Sequence, residues 1–119
     1  MLMIKDFEEF GEKVKEKNDI VTYRLIVNRI ELLVTVRKDI EVRGSTARVF
    51  GITPIIAVES LVNYFTSSGV CPSKIIFEMD YCDILDVCYK GTIVFDNDKA
   101  EFSARLVNGG EKIKIKINH

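Results

Sequence analysis

The sequence predicts an α+β domain: a mixed or mainly antiparallel sheet, curled into an open barrel, with two or three helices over its ends and faces. Three observations lead there. Ile4, Phe7, Phe10 and Val14 recur at helical spacing among charged residues. The run TPIIAVESLVNYFTSSG carries both a start and a stop signal for a helix. From Ile75 to Asn118 the apolar residues instead alternate, with turn chemistry between the runs. The 119 residues suit one domain, 1–119, and the 47% hydrophobic content provides enough apolar surface to offset the entropy of ordering.

Each element has its own justification. Residues 3–17 read as an amphipathic helix that ends near Asn18. From Ile20 the period changes: IVTYRLIV and IELLVTVR are rich in β-branched residues, and Asn28-Arg29 between them reads as a hairpin turn. A third, less regular strand is expected in IEVRGSTARVF, with Gly44 at a bend. In the clearest helix Thr53 is placed as N-cap, Pro54 as first helical residue and Gly69 as the left-handed closing residue. Ile55, Val58, Leu61, Val62 and Phe65 fall on one stripe of it, which should pack on the sheet. The run VCPSK is a connector.

The closing segments VCYKGTIVF, AEFSARLV and KIKIKIN are joined by DNDK and NGGE and form a meander. With Asn97-Asp98 and Gly109-Gly110 as central turn residues, paired residue numbers sum to 195 in the first hairpin and 219 in the second. One row across the three strands is then Lys90, Arg105 and Lys114. Like charges directly opposite one another are destabilising, so this row is a local conflict between sequence and fold. Lys112 and Lys116 lie on the same face, with Thr92 and Ser103 nearby, while Ile113, Ile115 and Ile117 face the core. Lys90, Arg105, Lys112, Lys114 and Lys116 are therefore the candidate nucleic-acid-binding residues. Their bland reading is an ordinary solvated face, with Glu101 and Asp86 as partial neutralisers.

The formal charge of −1 hides alternation in sign along the chain. Residues 20–53 carry an excess of three positive charges and 90–119 an excess of two, while 1–19 and 54–89 are acidic. A globally basic nucleic-acid binder is excluded, and a local basic face is not. Arg24, Arg29, Arg37, Arg43 and Arg48 cluster in the first β-region. Guanidinium groups there either recognise phosphate or neutralise Glu31, Asp39 and Glu41. Tyr23, Tyr64, Tyr81 and Tyr89 fall mostly on apolar parity, as core rather than as base-stacking platforms.

Other chemistry finds little support. Cys71, Cys82 and Cys88 are too few for a four-cysteine zinc site, and the one histidine is His119. In an extended chain Cys82 and Cys88 would lie about 20 Å apart, so free thiols of a reducing cytosol are expected. Asp80, Asp83 and Asp86 would line a helix face, yet the strand pattern around them makes them turn acids. No catalytic constellation or phosphate-binding glycine loop is present in the sequence, so no enzyme activity, metal or cofactor is expected. The uncharged stretches, Val49 to Val58 and Ser60 to Ser73, fall short of the ~20 apolar residues of a membrane span. The charged amino-terminal segment lacks the pattern of a secretory signal, and a cytoplasmic location is expected.

In the order of these elements, from the N-terminal helix through ITPIIAVESLVNYF to YKGTIVFDNDKAEFSARLVNGGEKIKIKIN, the whole chain resembles the PrgU-like proteins of enterococcal pheromone-responsive conjugative plasmids. The resemblance implies a PUA-like pseudo-barrel and a cytoplasmic regulator that acts on RNA to limit production of a plasmid-encoded surface adhesin. It carries over no individual functional residue. The expected function is thus non-enzymatic RNA binding through the basic sheet face. The alternative is a protein-interaction or homo-oligomeric module, with the edge of KIKIKIN adding to another chain.

Overall fold

The computed structural model describes residues 11–37, 54–83, 86–107 and 112–118. Within them the order is β1 (Glu12–Lys17), β2 (Ile20–Val27), β3 (Ile30–Arg37), α1 (Pro54–Ser67), β4 (Lys74–Tyr81), β5 (Val87–Val94), β6 (Lys99–Val107) and β7 (Lys112–Asn118). All seven strands form one sheet, lying side by side in sequence order. Five of the six pairings are antiparallel. Only β3 and β4 run parallel, and the chain between them carries α1, the kind of long crossover that a parallel pair requires.

This architecture corrects the expected fold class. The described residues hold one helix and a seven-stranded sheet, so the fold is essentially all-β rather than α+β with two or three helices. Among the described residues β1 and β7 stand at opposite ends of the strand order. The helix expected over residues 3–17 is overturned at its end: Glu12–Lys17 pairs with β2, with a register shift between Lys13 and Lys15. Every residue of this strand is exposed, so it has no apolar stripe to bury and is held by its ladder with β2. Residues 1–10, the expected strand in IEVRGSTARVF and the cap Thr53 lie outside the described residues.

The elements that do match have visible local causes. Asn28 and Arg29 both adopt positive φ, 51° and 67°, which is the two-residue hairpin turn whose twist matches its strands. α1 begins at Pro54, and Gly69, at φ 75°, follows its end. Its Val58, Leu61, Val62 and Phe65 are buried together with Ala57.

Alternation supplies the sheet's core face. Tyr23, Leu32, Val34, Ile75, Phe77, Tyr89, Ile93, Phe102 and Leu106 are buried there in one core with the apolar residues of α1. Two contacts fix the helix over the meander. The Tyr89 hydroxyl donates to the Ala57 carbonyl at 2.6 Å in the interior, and the Phe65 ring meets Phe102 edge-on at 6.0 Å between centroids. Gly91 sits between Phe77 on β4 and Phe102 on β6, and its missing side chain is what lets those rings approach, 6.4 Å apart.

Candidate nucleic-acid interface

The other face of the sheet carries the polar residues, and none of the described helix lies on it. Pairing fixes its rows. One runs Asp80, Cys88, Arg105, Lys114 from β4 to β7, with Arg37 of β3 joined to Asp80 by an ion pair, and the next runs Thr35, Glu78, Lys90, Ser103, Lys116. In the second hairpin the partners sum to 219, as Arg105↔Lys114 requires. In the first they sum to 193, not 195: Lys90 lies opposite Ser103, and Val94 opposite Lys99.

The cause is the turn. Asp96 and Asn97 are its central residues, and the Phe95 amide donates to the Asp98 carbonyl at 2.7 Å. Moving the turn by one residue slides the strand by two, so every side chain keeps its face while the rows change. The expected row of three cations is therefore resolved. Lys90 stands between Glu78 and Ser103, and Arg105 between Cys88 and Lys114.

Arg105 and Lys114 remain directly opposed, and Arg105 is turned away from that conflict. Its Nη2 and Nε donate to one oxygen of Asp86, at 2.6 and 2.9 Å. Lys90, Lys112, Lys114 and Lys116 are exposed and form no ion pair among the described residues. Of the five residues that the sequence singles out, four are thus available cations on the β5–β7 part of the face, and Arg105 is committed to Asp86.

The arginines of the first β-region divide. Arg24 and Arg37 share this face on β2 and β3; Arg37 lines one depression with Lys90, two strands away, while both arginines lie farther from the β7 lysines. Arg24 donates to Glu31 at 2.6 Å and lies 4.0 Å from Glu12, and Arg37 donates to Asp80 at 3.3 Å. The Arg24 guanidinium, with Lys74 at 3.4 Å adding to it, holds the Glu31 carboxyl below its ordinary range against the opposing effect of burial. For Arg24 the neutralising reading is the one that fits. Arg43 and Arg48 lie outside the described residues.

Cys82 and Cys88 overturn the expectation of free thiols. They are joined in a disulfide, with Cα atoms 5.6 Å apart, because the chain reverses between them and does not stay extended. The reversal is held by the Cys82 amide donating to the Asp86 carbonyl at 3.1 Å and by reciprocal Asp83 and Asp86 backbone contacts of 3.4 Å. Cys71 is free and exposed. Asp83 sits in the turn as the strand pattern suggested, and Asp80 and Asp86 each face an arginine. Among the described residues no group of three or more His, Cys, Asp or Glu side chains is arranged to hold a metal ion.

Several depressions mark the polar face. One, of about 340 Å³, lies where the parallel β3 and β4 end and is lined by Thr35, Arg37, Glu78, Asp80 and Lys90 among others. A smaller one lies between β6 and β7, against Ser103, Arg105, Lys114 and Lys116. The strand aromatics whose side chains are described, Tyr23, Phe77, Tyr89 and Phe102, are all buried on the opposite face. This part of the face therefore offers charge and hydroxyls without a base-stacking surface.

No family model matches the chain, and neither does any curated protein or solved structure. Among the described residues no helix is long and apolar enough to cross a membrane.

Proposed function

We propose that the chain is a non-enzymatic regulatory protein that binds RNA by its phosphate backbone, along the lysine face of β5 to β7. The observation that carries this reading is the set Lys112, Lys114 and Lys116, exposed at alternate positions of one strand with no acidic partner among the described residues. Alternate residues of a strand repeat every ~6.7 Å, a spacing comparable to that of successive phosphates in an extended single strand. Lys90 extends the positive field inward, one strand beyond Ser103.

With no exposed strand aromatic on this face among the described residues, the contact is to the backbone and tolerant of base sequence. On this reading the protein acts in the cytoplasm. The resemblance to PrgU-like proteins supplies the role, limiting expression of a plasmid-encoded surface adhesin. The alternative, a protein-interaction module, has a separate observation behind it, the outer edge of β7, which has no strand partner among the described residues.

The test is electrophoretic mobility shift against single-stranded, hairpin and duplex RNA at two salt concentrations. Each phosphate contact releases a counterion, with a slope of about 0.7 per contact on single strands, so Lys114→Gln with Lys116→Gln should flatten the salt dependence by about 1.4. No binding at low salt, where electrostatics are strongest, would sink the reading.

A further inference from the structure

We infer that the outer edge of β7 accepts an extended peptide segment in which acidic and apolar residues alternate. The inference goes beyond RNA binding, because it rests on the strand's backbone and not on its ammonium groups alone. Hydrogen-bond parity shows which backbone groups are free. Phe95 donates to Asp98, so hydrogen-bonded pairs recur at every second position of that hairpin, through Ile93↔Ala100, Gly91↔Phe102 and Tyr89↔Ala104. The Cys82 amide donating to the Asp86 carbonyl gives the same parity from the β4 side.

On β6 this leaves Glu101, Ser103, Arg105 and Val107 to bond with β7, so Lys112, Lys114, Lys116 and Asn118 point their amides and carbonyls inward. The N–H and C=O groups of Ile113, Ile115 and Ile117 then point outward, away from β6. β7 has a strand neighbour on one side only among the described residues, and these groups form a ready template for one more strand.

Charge complementarity selects the occupant. An added strand in register would lay one set of side chains beside the half-buried isoleucines and the other beside the lysines. The first set must be apolar and the second acidic, because opposed unlike charges stabilise a cross-strand pair and like charges destabilise it. A second copy of β7 brings lysine against lysine when both apolar faces lie on the same side, and strands the isoleucines on opposite sides when it does not. The lysines thus bar indiscriminate pairing and self-pairing while admitting an acidic strand.

The probe is a short blocked peptide in which Glu and Val alternate, compared by fluorescence anisotropy with its Lys/Val counterpart. The Glu/Val peptide should bind at least about tenfold more tightly. Ile115→Pro removes an outward amide but no bond to β6, a place where a strand tolerates proline, and should abolish peptide binding while RNA binding persists. Lys114→Glu with Lys116→Glu should reverse the preference toward the Lys/Val peptide, which keeps the test decisive if the proline variant does not fold. Equal binding of both peptides would overturn the proposal, as would full binding to folded Ile115→Pro or a concentration-dependent dimer of the wild type. RNA binding without peptide binding would overturn it and leave the RNA reading standing.

Discussion

Arg105 and Asp86 are locked together across the polar face, with two guanidinium nitrogens on one carboxylate oxygen at 2.6 and 2.9 Å. The pair sits beside Lys114, so Asp86 neutralises the one cation that would otherwise stand directly against a lysine. Asp86→Asn should therefore release Arg105 to a phosphate. RNA affinity should rise and the salt slope steepen by about 0.7, one added contact. An unchanged slope in Asp86→Asn would remove Arg105 from the binding track.

The same turn is closed covalently. Cys82 and Cys88 are six residues apart in sequence, and a crosslink over so short a loop is worth about 2 kcal/mol through restriction of the unfolded chain. Cys82→Ser with Cys88→Ser should lower unfolding free energy in urea by about that amount under oxidising conditions. Under reducing conditions wild type and variant should coincide. Coincidence under both conditions would show that the bond does not form in solution.

The sequence was legible where local chemistry decides. The turn at Asn28-Arg29, the start of α1 at Pro54, the left-handed Gly69 and the facing of Tyr89, Phe102 and Ile115 follow from backbone preference or alternation. Facing is robust because it depends only on parity. Rows are not: DNDK offers two adjacent turn centres of similar composition, and choosing Asn97-Asp98 over Asp96-Asn97 was enough to create a row of three cations that the protein does not have. Glu12–Lys17 was misread because its pattern suits a helix end or an exposed edge strand equally, and pairing with β2 decides between them. The Cys82–Cys88 bond was missed for a related reason. It depends on where the chain reverses, and spacing in an extended chain cannot show that.

Gly91 is the position where the sheet is least tolerant. A β-carbon there would collide with the Ile76 carbonyl oxygen and lie 2.7 Å from the Phe77 α-carbon. Both are backbone atoms of the neighbouring central strand, which cannot give way as a side-chain tip would. Gly91→Ala should thus cost about 3 kcal/mol or more, measured by urea or thermal unfolding. Gly69→Ala offers the contrast, since nothing lies within 4 Å of a β-carbon there and only the positive φ is strained. Its loss should be about 1 kcal/mol. Equal losses at the two sites would contradict the close approach of β4 and β5 at Gly91.

Glu31 gives the sheet a defined response to acid. Its carboxyl is held below the ordinary 4.5 by the hydrogen bond from Arg24, with Lys74 acting in the same sense. A carboxylate whose folded value is depressed binds its proton less readily when folded, so its stabilisation is complete above the unfolded value and drains away as pH falls through the folded one. Glu31→Gln should therefore be less stable than wild type at neutral pH, and the gap should close below pH 4.5. Because the cluster is open to solvent, salt should narrow the neutral-pH gap as well. Urea unfolding of both proteins across that range, at low and high salt, checks it. A gap that stays constant with pH would mean that Glu31 contributes through packing rather than charge.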